Sequence, residues 1–226
     1  MRFQDAARDA RAVVYAGIQA DPLVARLAGL LADAAVAERW MARAVMNGQR
    51  TDPETWRRMF PSLFGDETGE AAPAAGRARA EALLAASLEV ANRGEEARSQ
   101  YRGAVVEELT AQLLTRRATP VRRERRVLFD GVRAEIHPYD VTVEAEGRPE
   151  VYDCKWGARG INADVLSQLD DARTNAAAEG TELEVALVIF DAGRSCDLRL
   201  ARSTTPHART RLVAIEAFDS LGEGRR

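Results

Sequence analysis

Three side chains in the stretch "PYDVTVEAEGRPEVYDCKWG" (138–157) have types and spacing that could do chemistry: Asp140, Asp153 and Lys155. Side chains alternate across a strand, so Val151, Asp153 and Lys155 share one face while Tyr152, Cys154 and Trp156 share the other. On the preceding strand Ile136, Pro138, Asp140 and Thr142 share a face, and pairing as a hairpin would bring Asp140 beside Asp153. Two carboxylates meeting on one face suit a hard divalent cation, which takes oxygen ligands and keeps several waters. Such an ion activates water and neutralises charge at a phosphoryl centre. Lys155 would orient the attacking water and lower its pKa, or steady the negative charge that develops. Without a metal, converging carboxylates repel one another, and the lysine partly offsets that repulsion.

Alone, Asp153 and Lys155 read better as a surface ion pair worth about 0–1 kcal/mol. A third acid reverses the preference. In "YRGAVVEELTAQLL", Glu107 follows Gly103 by four residues, which puts both on one helix face. Gly103 is expected to let this helix approach the sheet closely and aim Glu107 at the same place. Glu108 competes with Glu107 but lies about 100° round the helix, and Gly103 favours Glu107.

The elements that must position these residues fall into two halves. The first reads as all-helical. Asp21 and Pro22 open a helical pattern that runs to Asn47-Gly48, and Asp52-Pro53 repeats the start signal. "GDETGEAAPAAGRA" reads as a linker near 65–77. A helix over 77–92, a break at Gly94 and a helix over 95–117 follow. The second half alternates: strands over 122–129, 134–147 and 150–157, a helix over 161–180, and strands over 183–192 and 211–218. The run "LEVALVIFDA" is almost continuously apolar, as in a strand covered on both faces. Helix, three strands, helix, strand and strand imply an α/β sandwich with a mixed sheet. The expected domains are a helical accessory domain over 1–94 and an α/β domain over 95–226.

The 226 residues are 46% apolar and 30% charged, a soluble globular profile. No apolar run approaches the roughly 18 residues of a membrane-spanning helix, and the N-terminus lacks a signal-like apolar core, so a cytoplasmic location is expected. Cys154 and Cys196 make no disulfide framework, and with His137 and His207 they do not match zinc spacing. The net charge of -3 excludes a globally basic coat.

The order of these motifs resembles the PD-(D/E)xK nuclease superfamily, whose restriction-endonuclease-like core is a helix, a three-stranded meander, a helix and another strand. The resemblance covers roughly 95–195. Gly103 and Glu107 match the G-x-x-x-E of the first core helix, Asp140 the aspartate of the second strand, and Asp153 and Lys155 the (D/E)xK of the third. Tyr139 stands where the family often has proline. The resemblance implies a three-layer core with a mixed sheet and a Mg²⁺- or Mn²⁺-dependent nuclease. Glu107, Asp140, Asp153 and the backbone carbonyl of Cys154 would be metal ligands. Gln168 lies where relatives carry a polar residue that assists the site, although Ala172 rather than a tyrosine follows it. The substrate implied is DNA, and the biological roles implied are restriction, phage defence or repair. The helical half would serve partner binding, dimerisation or substrate placement, and a homodimer would suit paired cuts. The alternative is a non-catalytic module that binds nucleic acid or protein.

"TRRATPVRRERR" holds Arg116, Arg117, Arg122, Arg123, Arg125 and Arg126, and Arg159, Arg173 and Arg194 could extend them. A rim of Arg116, Arg117, Arg122, Arg123, Arg126 and Arg159 could hold a nucleic-acid backbone. The competing account is a helix end favoured by its dipole and an edge strand guarded by charge.

Overall fold

The structure, a computed structural model, describes residues 1–6, 10–65, 73–133, 137–205, 207 and 209–223. It divides into two compact units: Val14–Leu109, and Met1–Val13 with Thr110–Arg226. The division falls inside two helices, α1 (Ala10–Gln19) and α7 (Glu95–Thr115), rather than at the expected 94/95 boundary. Gly94 does stand in the gap between α6 (Ala74–Ala91) and α7.

In the helical unit, α2 (Pro22–Ala32), α3 (Val36–Asn47), α4 (Pro53–Met59) and α5 (Pro61–Phe64) all pack on α6. The buried stripe of α2, with Leu23, Val24, Leu27, Ala28 and Leu31, meets an α6 rich in small residues, which permits close approach. Asp21 caps α2 by accepting from the Leu23 amide at 2.9 Å, and Asp52 caps α4 by accepting from Glu54 and Thr55 at 3.2 and 3.0 Å. The expected continuous helix from Pro22 to Asn47 is two helices. Glu38 breaks it, because its carboxylate reaches back to the Ala35 amide at 2.6 Å and starts a new helix there. The expected linker over 65–77 lies mostly outside the described residues.

The second unit holds a seven-stranded mixed sheet of order β1-β2-β4-β5-β6-β7, with β3 paired to β2. The strands are β1 (Arg2–Asp5), β2 (Val121–Phe129), β3 (Val132–Arg133), β4 (Tyr139–Val143), β5 (Glu150–Lys155), β6 (Glu184–Ile189) and β7 (Arg211–Ala214). Pairings are antiparallel from β1 through β5 and parallel from β5 through β7. The parallel pairs need crossovers, which α8 (Ala163–Ala178) and α9 (Gly193–Leu200) provide. Residues 134–136 of the expected second strand, Ile136 among them, lie outside the described residues.

β6 is buried along Val185–Ile189, as its apolar run requires. Val151, Val185, Leu187 and Ile189 form one core with Leu166, Leu169 and Ala172 of α8. On the other sheet face Cys154 Sγ lies 3.5 Å from Thr110 Oγ1, near the end of α7. There the Arg117 guanidinium grips Glu150 at 2.9 and 2.6 Å and also bonds the Leu221 carbonyl and the Tyr152 hydroxyl.

β1 corrects the expectation of an all-helical first half. Its four residues are too few to display a period of their own, and their partner, β2, lies far along the chain. The last strand also ends early: Ile215–Leu221 is a 3-10 helix rather than a continuation of β7. α9 lies between the two last expected strands, a stretch for which no element is expected. Among the described residues no helix is long and apolar enough to cross a membrane.

Candidate active site

β4 and β5 pair with Val141 opposite Tyr152 and Thr142 opposite Val151. Continuing that register sets Asp140 opposite Asp153, on the same face. The ladder gives way there to a side chain: the Cys154 amide donates to Asp140 Oδ2 at 2.6 Å. Asp153 and Lys155 share a face by strand alternation, and Lys155 Nζ closes the group. It is in ion-pair contact with Asp153 Oδ1 and lies 3.9 Å from Asp140 Oδ2. The side chains of Asp140, Asp153 and Lys155 are only 20%, 12% and 30% exposed.

Burial by itself lowers the Lys155 pKa, but the charges of Asp140 and Asp153 outweigh it and hold the ammonium above the ordinary lysine value. Lys155 is therefore a fixed cation at neutral pH. Asp153 Oδ1 is buried, and its charge is met there by the Lys155 ammonium.

The turn after β5 holds Lys155 in place. Its carbonyl accepts from the Phe190 amide at 2.9 Å. Asp191 accepts from the Ala158 amide at 3.0 Å and so fixes the 3-10 turn Ala158–Gly160. A Cβ added at Gly160 would lie 2.7 Å from both Cβ and Cγ of Lys155. The lysine stem thus runs over bare glycine backbone. Trp156 stacks on Phe190 with ring centroids 4.8 Å apart.

The other expected site residues fall as follows. Gln168 meets the backbone three residues before Asp140: its Nε2 donates to the His137 carbonyl at 3.1 Å and its Oε1 accepts from the His137 amide at 3.4 Å. Glu107 belongs to the helical unit, where Tyr15 donates to it at 2.6 Å and Gln19 at 2.7 Å. Gly103 also has a local role. A Cβ there would meet Tyr15 Oη at 2.9 Å, so the glycine makes room for the tyrosine that binds Glu107.

Of the arginines, Arg117 is turned inward onto Glu150, which leaves little of its fork for a phosphate. Arg125 is held by Glu144 at 2.6 Å and by Asp5. Arg116, Arg122 and Arg159 are exposed, whereas Arg123 and Arg126 are half-buried. Arg122 reaches Glu144 only at 3.9 Å.

Among the described residues no group of three or more His, Cys, Asp and Glu side chains is placed to hold a metal. The donor set in the sheet unit is two carboxylates. That set fits Mg²⁺, which is commonly held by one or two carboxylates while keeping waters and substrate oxygens. The buried Asp153 Oδ1 already meets one cation there, the Lys155 ammonium.

Sequence reasoning missed Gly160 and Asp191. The glycines of "WGARG" signalled a turn, but the close approach to the lysine stem needs coordinates. Asp191 lies far along the chain, and only the parallel pairing of β5 with β6 brings it there.

No protein-family model and no curated protein matches the chain. Among solved structures it is similar to protein VC1899 from Vibrio cholerae, at 18% sequence identity and a TM-score of 0.47. The match covers 98% of this chain and 56% of that one, so the chain spans little more than half the length of that protein.

Proposed function

We propose that the sheet unit is a restriction-endonuclease-like, Mg²⁺- or Mn²⁺-dependent nuclease that hydrolyses phosphodiester bonds, with DNA as substrate. One observation carries this reading: a lysine ammonium in contact with one aspartate and 3.9 Å from another, the two lying on adjacent strands. A surface ion pair needs one acid and high exposure. Here two acids that repel each other are held largely buried around one cation, an arrangement that favours recruiting further positive charge.

Asp140 and Asp153 would hold the ion, with the Cys154 carbonyl as the third donor that the family resemblance implies. A bound divalent ion supplies Lewis-acid charge neutralisation and a more acidic water. Lys155 keeps its proton at neutral pH, which suits it to orient the attacking water by donating hydrogen bonds. It also places a fixed cation where negative charge grows on the phosphate oxygens. The exposed Arg122 and Arg159 would contact the backbone of the substrate.

The test is nicking of supercoiled plasmid with Mg²⁺ or Mn²⁺ against EDTA. Asp153→Asn and Lys155→Met should each abolish cutting while melting cooperatively. Wild-type protein that cuts equally well in EDTA, or variants that keep full activity, would sink the proposal. Metal-free DNA binding with no cutting would favour a non-catalytic module.

A further inference from the structure

The sheet unit has a concave site at the other end of β5. Lys155 ends that strand and Glu150 begins it, about 17 Å apart at roughly 3.3 Å per residue. A cleft of about 770 Å³ opens beside Glu150, within the size range of small-molecule sites. Its apolar lining comes from Val143, Pro149, Leu183 and Val185. Around that floor stand five arginines, of which two are committed. Arg117 gives four of its five N–H donors to Glu150, Tyr152 and the Leu221 carbonyl. Arg211 is held by Glu184 at 3.3 Å and Ser220 Oγ at 2.9 Å.

The other three keep donor capacity. Arg173 gives one amine to Asp170 at 2.6 Å, but its Nε is buried and without a partner among the described residues. Arg148 and Arg209 are exposed at the cleft and make no described ion pair. Glu182, also exposed, is the lining acid that no described arginine neutralises. A cleft that pairs apolar lining with guanidinium groups suits a ligand with an uncharged body and a compact anionic group.

We propose that this cleft binds a small phosphorylated ligand of nucleotide size, its phosphate held by Arg148, Arg173 and Arg209. The proposal is independent of the hydrolytic reading above, because it uses other residues at the opposite end of the strand.

The experiment is calorimetric titration of the full chain with AMP and, separately, with inorganic phosphate, at low salt and without divalent metal. Saturable AMP binding is expected, with phosphate alone weaker by about tenfold or more because it leaves the floor empty. Arg148→Ala combined with Arg209→Ala should weaken AMP by about tenfold or more at an unchanged melting temperature. Glu182→Gln should tighten it a few-fold, a gain that misfolding does not mimic. No saturable AMP binding, AMP no tighter than phosphate, or binding unaltered in the arginine variant would each overturn the proposal. So would loss of duplex-DNA binding in that variant when AMP never binds, which would make the cleft part of a nucleic-acid surface.

Discussion

Gly160→Ala adds one methyl group, and its effect can be worked from distances. The new Cβ would lie 2.7 Å from Cβ and Cγ of Lys155 and 2.9 Å from Cδ, whereas ordinary contact begins at 3.4 Å. The stem or the turn must therefore retreat by about 0.7 Å. The turn resists, because Asp191 holds the Ala158 amide at 3.0 Å and Ile161 and Gly160 bond back to Ala158 and Gly157. The lysine is the softer partner, with 30% of its side chain exposed. Overpacking costs about 1–3 kcal/mol where neighbours are rigid, so the lower end is expected here. At about 2–4 °C per kcal/mol for a chain of this size, the melting temperature falls only a few degrees. The ammonium moves off Asp153. If the nuclease reading holds, a displacement near 1 Å at a positioning group costs up to about 100-fold in rate. Metal-dependent plasmid nicking should therefore drop about 10- to 100-fold in a protein that still melts cooperatively. Gly17→Ala is the control, since a Cβ there meets nothing within 4 Å. Wild-type nicking by Gly160→Ala, in a variant with an undisturbed lysine, would refute the reasoning. Equal losses in the two variants would do the same.

Glu150→Ala should be severely destabilising, by about 3–5 kcal/mol, because it strands the Arg117 charge in a site where both side chains are about nine-tenths buried; urea unfolding measures this, and a loss below about 1 kcal/mol would contradict it. Lys155 has a raised folded pKa, so its ion-pair contribution is complete below the ordinary value of 10.5 and is lost as pH rises through the folded value. The stability difference between wild type and Lys155→Met should therefore stay flat from neutral pH to about pH 10; a decline beginning near pH 8 would count against the pairing. Gln168→Ala removes both hydrogen bonds to His137 and should speed amide exchange around residues 137–140 while costing about 1–2 kcal/mol; unchanged exchange there would show that the contact is idle. In the helical unit the Tyr101 hydroxyl, the Leu23 amide and the Arg93 charge hold the Asp21 carboxyl below the usual range, against burial that raises it. Its stabilisation is thus present above the ordinary value of 3.8 and is lost as pH falls through the folded value, so Asp21→Asn should flatten the acid limb of helix melting followed by circular dichroism.

The elements with strong periods were legible in the sequence. The alternation of "VYDCK" and the apolar run "VALVI" specify β5 and β6, and Asp21-Pro22 and Asp52-Pro53 mark helix starts that the structure retains. Asp140, Asp153 and Lys155 could be placed together because strand alternation and a hairpin register follow from local rules. What escaped depends on distant partners. β1 is defined by β2, the Lys155 stem by Gly160 across a turn, and the division of the helical stretch near Asp33 by the reach of one glutamate side chain. The inward turn of Arg117 was hidden for the same reason: nothing within "TRRATPVRRERR" distinguishes an arginine that will find a buried Glu150 from its solvated neighbours.

The pairing of Arg2 with Leu128 also sets an order of events during synthesis. The first strand leaves the ribosome with no mate, and its mate emerges only after every residue of the helical unit has been translated. In that interval Val14–Leu109 can condense by itself while a four-residue ribbon waits with open amides and carbonyls. The ribbon is short and carries Arg2 and Asp5, features that discourage premature pairing with another nascent chain. The sheet therefore gains that margin from a segment made before the helical unit, and gains it late.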